Sequence, residues 1–238
     1  MDIVFQIAPG GGQMKADNLL RIALLLCSLL MLSGCGGSQP VPDWTYASFN
    51  KLEDFKQASL EGKAAIADLH FQHSVEELKK SGDLQLLATA YLNRYAVQTA
   101  LLDPFNDEEF LKLQAVQPDP ENASFHAFLK GNFPAVDVKY LPAQYAATLA
   151  DIRSDKRARL AGDVRDIADP LSRLIITGRL VLSGYETEEL LSGAVETASR
   201  QGWKKALLVY LHRLQAFYET KREAEKAVRI KEKIRLIQ

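Results

Sequence analysis

Cysteine is nearly absent from this chain: its 238 residues hold only Cys27 and Cys35. No thiol follows Cys35, so no disulfide can staple the body, and stability has to come from an apolar core. A long apolar run is missing too. The greasiest stretch, residues 22–32, is 11 residues long and contains Ser28, whereas a spanning helix needs about 20. Neither sign of charge dominates. With 29 Lys and Arg against 30 Asp and Glu the net charge is -1, which gives nucleic acid no electrostatic footprint and excludes a strongly acidic substrate as a global partner. Apolar residues show no convincing alternation of period two after Trp44, which argues against a sheet.

What is present begins with an address. Lys15 and Arg21 precede the short apolar run, small residues follow it, and the chain then loosens into Gly36-Gly37-Ser38-Gln39-Pro40, the order of a secretory signal. Leu32-Ser33-Gly34-Cys35 resembles the lipobox of bacterial lipoproteins. That resemblance implies cleavage before Cys35, diacylglycerol on its thiol and acylation of the new amino terminus, so that the acyl chains are the membrane contact. Gly36 stands where an aspartate would retain an enteric lipoprotein in the inner membrane, which implies the outer membrane, facing the periplasm. Residues 1–13 precede Met14-Lys15 and read as an upstream extension, with the signal over 14–34 and a tether over 35–45.

The mature chain would keep 204 residues, enough for one sizeable domain or two small ones. Its apolar spacing predicts helices throughout. Phe49, Leu52 and Phe55 mark a first short helix, and Ala65 to Leu78 a second that stops at Ser81-Gly82. Asp83 is a candidate N-cap for a third, which carries Leu87, Tyr91 and Tyr95 and stops at Asp103-Pro104. Asn106-Asp107-Glu108-Glu109 reads as a cap followed by first-turn acids, favoured there by the helix dipole. Pro118, Pro120, Pro134 and Pro142 suggest a hinge over 116–142 between an N-terminal lobe, 46–115, and a C-terminal lobe, 143–238. In the second lobe a charged segment, 154–169, separates Tyr145, Leu149 and Ile152 from a helix ending at Gly184. Thr187-Glu188-Glu189 opens another, Gly202 ends it, and a broad stripe from Trp203 to Tyr218 precedes a last helix carrying Ala227, Ile230, Ile234 and Ile237.

Leu214, Tyr218 and Ala227 have the spacing with which helix A meets helix B in tetratricopeptide repeats, and this stretch resembles one such unit. The family's glycine is Gln215 here and its later aromatic is Lys231. The resemblance implies stacked antiparallel hairpins, an all-α, short solenoid-like array whose concave face binds a peptide or protein.

Chemistry is thinly represented. Asp68, His70, His73, Glu76 and Glu77 share one helix, but a metal site needs matched ligands from other helices, and only His126 and His212 remain to supply an imidazole. No nucleophile elbow occurs, and His212 reads as a partly buried helix residue. No cofactor is expected. One asymmetry stands out: residues 203–238 hold ten Lys and Arg against four Glu, and Arg222, Lys226, Arg229 and Lys233 fall at i, i+4, i+7 and i+11 as a candidate stripe for an anionic partner. The sequence thus points to a lipid-anchored, non-enzymatic envelope scaffold or adaptor that docks another envelope protein. A peptidoglycan-acting enzyme or its regulator would instead need a carboxylate pair across a groove, and a carrier of an apolar ligand a closed apolar cavity.

Overall fold

Helix starts follow the side chains that cap them. Asp83 Oδ1 accepts from the backbone N–H of Gln85 at 2.9 Å and Leu86 at 3.2 Å, and Thr187 Oγ1 accepts from Leu190 at 3.2 Å. Asp119 and Asp169 cap in the same way, each followed by a proline whose missing N–H costs nothing at a first helical position. The computed structural model describes residues 42–238, which are all-helical, with no strand among them. In chain order the helices are α1 (Asp43–Glu61), α2 (Ala64–Lys79), α3 (Leu84–Ala100), α4 (Glu108–Val116), α5 (Pro120–Leu129), α6 (Ala146–Arg153), α7 (Leu160–Arg165), α8 (Pro170–Leu182), α9 (Glu188–Gln201), α10 (Lys204–Thr220) and α11 (Ala224–Ile237).

One joint recurs. A left-handed residue ends the helix and the next N–H reaches back five residues: Lys63 to Ala58 at 2.8 Å, Trp203 to Ala198 at 3.0 Å, and Glu223 to Tyr218 at 2.9 Å. It closes the antiparallel hairpins α1–α2, α9–α10 and α10–α11. Glycine serves in the first two, Gly62 and Gly202, whereas Arg222 adopts φ 61° in the third. Leu214, Tyr218 and Ala227 are all buried in the α10–α11 hairpin.

The hairpins share one core. Helix α3 packs on α1 and α2 on one side and on α4, α5 and α8 on the other, and α8 continues to α9. Aromatic rings line the first half, with Phe55–Phe71 centroids at 5.2 Å, Phe71–Tyr91 at 5.4 Å and Tyr95–Phe105 stacked at 4.7 Å. Phe125, Phe128 and Tyr145 stack beyond α3. Tyr210, fully buried in α10, donates to the Leu174 carbonyl at 3.2 Å.

Several expectations are corrected. The first helix is not short: α1 runs 19 residues and takes in the last residues assigned to the tether. The segment 154–169 contains α7. His212 lies exposed, within 3.5 Å of Gln238, because the buried stripe of α10 passes through Leu211 and Leu214 on either side of it. Residues 42–238 form one compact unit, and 116–142 pack into it where a hinge was expected. Phe128, Leu129, Phe133, Val136 and Leu141 are buried. Arg179 donates from α8 to the Leu129 carbonyl at 2.7 Å, and Arg153 reaches the carbonyls of Phe133 at 2.7 Å and Val136 at 2.5 Å. Two cations thus donate to backbone carbonyls of this segment and tie it to α6 and α8. The C-terminal hairpins also return to the N-terminal one. Trp203 Nε1 donates to Gln57 Oε1 at 2.9 Å and Lys205 pairs with Asp103 at 2.7 Å, as α10 packs on α1.

Candidate functional site

Three helices of unequal length leave a gap. Helix α7 is only 6 residues long, so it cannot fill the side of α8 and α9 that it faces. The result is a groove of about 510 Å3. Val164, Thr177, Leu190, Ala194 and Thr197 form its buried base. The two hydroxyls are spent on their own helices, Thr177 donating to the Arg173 carbonyl at 2.7 Å and Thr197 to Gly193 at 2.8 Å. No buried polar group there is left unpaired by them. Gly193 opens the wall, since a Cβ at that position would meet no atom within 4 Å.

The rim is charged. Arg165 pairs with Glu189 at 3.2 Å and Arg200 with Glu196 at 2.5 Å, all four side chains being more than 60% exposed. Such pairs are worth about 0–1 kcal/mol and exchange partners at little cost. Arg173 differs from them. Half-buried on α8, it donates to the carbonyls of Ile167 at 2.5 Å and Ala168 at 3.4 Å, and no carboxylate lies within 4 Å of it among the described residues. Those two carbonyls orient its guanidinium without neutralising it. The groove combines apolar burial with an oriented cation, a pairing suited to a chain segment that carries a carboxylate.

The residues singled out from the sequence are dispersed. Arg222 sits in the turn before α11 rather than on the helix. Lys226 pairs with Glu188 at 3.1 Å and Glu223 at 2.7 Å and lies over the Tyr218 ring. Arg229 is 3.6 Å from Glu225, and Lys233 is exposed. The stripe is therefore not a row of four free cations. Cys35 lies outside the described residues. Comparison with protein-family models, with curated proteins and with solved structures finds no match to this chain.

Of the polar helix, Asp68 pairs with Arg94 at 2.9 Å, Glu76 with Lys79 at 2.7 Å and Glu77 with Lys80 at 2.6 Å. His70 is 3.6 Å from Asp54. Among the described residues no three His, Cys, Asp or Glu side chains converge as a metal would require. Sequence reading missed the spacing Ser48-x-x-Lys51. Ser48 donates to the Thr45 carbonyl at 3.0 Å and Lys51 pairs with Asp54 at 3.1 Å, so the two do not form a nucleophile and base.

Two other clusters were invisible in one dimension. Asp107 does not cap α4; Asn106 Oδ1 does, accepting from Glu108 at 2.9 Å. Asp107 instead meets His126 at 2.8 Å and Lys130 at 3.1 Å, with the imidazole stacked on Phe110. Burial pulls the His126 pKa down against the pull of Asp107. The second cluster joins α6 and α7, where Asp163 adjoins the buried Asp151 and its Oδ2 has no donor. Burial, followed by the charge of Asp151, pushes the Asp163 carboxyl up. Because its pKa is raised on folding, ionised Asp163 costs stability above that folded value, and the cost disappears as pH falls below the ordinary carboxylate range. Asp163→Asn should accordingly raise the melting temperature at pH 7 and lose that advantage near pH 3, read by thermal melts across pH.

Proposed function

We propose that this protein is a lipid-tethered, non-enzymatic adaptor of the bacterial cell envelope, anchored through Cys35. Its groove between α7, α8 and α9 docks a carboxylate-bearing segment of another envelope protein. The observation that carries the docking reading is Arg173, a half-buried cation held by two carbonyls with no acid opposite it. The apolar base supplies burial and the exchangeable rim pairs supply adaptability. A closed apolar cavity would have favoured a carrier, and this groove is open with a charged rim. A glycosidase reading asks for two carboxyls about 5–9.5 Å apart. Glu189 and Glu196 are separated by about 10.5 Å of rise along one helix, and each already pairs with an arginine.

The test is a photo-crosslinking amino acid at Ser192, an exposed lining position, in intact cells. One discrete protein adduct is expected, falling about tenfold in Arg173→Gln, since a hydrogen bond to a charged group contributes about 1.5–3 kcal/mol. An adduct indifferent to Arg173, or adducts with glycan or lipid alone, would overturn the docking reading.

A further inference from the structure

We propose that Tyr46 and Phe49 seat the start of α1 in the headgroup region of the bilayer that holds Cys35, giving the body a second point of attachment. The proposal rests on the lipid anchor proposed above. Its observation is independent: Tyr46 and Phe49, at i and i+3 on the first turns of α1, are each 61% exposed. Trp44 packs partly against the core, and Ser48 and Phe55 turn inward and are buried. Two neighbouring bare aromatic rings on one face leave apolar area in water, a cost that a covering surface relieves.

Their place in the chain says what covers them. Seven residues, 36–42, separate Cys35 from Asp43. Even fully extended, the eight steps from Cys35 to Asp43 reach about 26–29 Å at about 3.3–3.6 Å per residue, and a Gly-rich chain of that length averages about 15 Å between its ends. The first turns of α1 would therefore be confined next to the lipid surface, at an effective concentration on the order of millimolar. Weak contacts suffice under that confinement. Aromatic side chains favour the membrane–water interface, where a ring is half in hydrocarbon and a polar tip stays wet.

Charge around the pair matches a zwitterionic headgroup layer. On the same face of α1 Lys56 pairs with Glu53 at 2.7 Å, and the exposed Asp43, one turn before Tyr46, leaves that flank with a single negative charge. Nothing there selects anionic lipid, and no dense like charge repels the surface.

Mature protein would have no free thiol, because Cys35 carries lipid, so one introduced cysteine is labelled uniquely. Asn50, exposed and one residue beyond Phe49, takes an environment-sensitive fluorophore as Asn50→Cys, and exposed Ser199→Cys serves as the distant control. Acylation is confirmed by mass before the full mature protein enters phosphatidylethanolamine and phosphatidylcholine vesicles with brominated acyl chains. The label at 50 should shift to the blue and be quenched, the label at 199 should not, and Tyr46→Ser with Phe49→Ser should restore the aqueous signal at 50. Circular dichroism checks that this surface pair leaves helicity unchanged. An acylated, vesicle-bound protein with an aqueous label at 50 would overturn the seating and leave the anchor intact. A protein that carries no acyl chain overturns both. A shift that needs no vesicles and grows with protein concentration would assign the aromatic face to a second copy of the chain.

Discussion

Gly178→Ala is expected to lower the melting temperature by about 4–8 °C. A Cβ at Gly178 would stand 2.0 Å from the Thr99 carbonyl oxygen, 2.9 Å from its carbon and 3.3 Å from the Ala100 Cα. All three are backbone atoms, so no side chain can swing away. Helices α3 and α8 would have to part along the contact that joins the two halves of the core. Overpacking costs about 1–3 kcal/mol, and a clash between two backbones stands at the upper end, about 3 kcal/mol; about 2–4 °C accompanies each kcal/mol in a domain of this size. Intrinsic helix propensity acts the other way, since Ala is better than Gly by about 1 kcal/mol. Gly193→Ala isolates that smaller term, for a Cβ there meets nothing within 4 Å. The pair should move in opposite directions, with Gly193→Ala gaining about 0.5–1 kcal/mol. Calorimetry or thermal circular dichroism on both variants decides it. If Gly178→Ala melted as high as Gly193→Ala, the α3–α8 crossing would be looser than described.

The second large effect is complete release from the membrane in Cys35→Ala. Each buried methylene of an acyl chain contributes about 0.8 kcal/mol, so two or three chains hold a protein on a bilayer effectively without exchange. Among the described residues no helix is long and apolar enough to cross a membrane, and residues 22–32 are too short to span one. Nothing in this reading replaces the lost lipid, because two aromatic rings without an anchor bind weakly. Fractionation of cells expressing the variant should find it entirely soluble. Its helicity should match the parent, because residues 42–238 bury their own core. A variant that stayed with the membrane would sink the lipobox reading.

Much of the helical plan could be read in one dimension because its signals are local. Asp83 and Thr187 cap by bonding backbone groups two or three residues away, and Gly202 ends α9 by its own left-handed conformation. Each needs only its neighbours. The length of α1 was missed because Pro42 and Trp44 were read as tether, although proline before a first turn is compatible with a helix start. The basic stripe was legible as spacing and misleading as chemistry. Lys226 meets Glu188 across 38 residues, a distance that no period reveals.

The sequence by itself determined that the described body is helical, where most of its turns fall, and that no disulfide holds it, since these follow from short-range patterning and composition. Only the tertiary structure decided that the prolines of 116–142 lie inside one core and that α10 closes back on α1. It also decided that α7 is too short to cover its side of the groove and leaves Arg173 oriented there without an acid. Trp203 bonds Gln57 across 146 residues and Gly178 touches Thr99 across a helix crossing. Such contacts depend on how helices cross, and crossing depends on side-chain volumes summed over many pairs, which no local stretch of sequence contains.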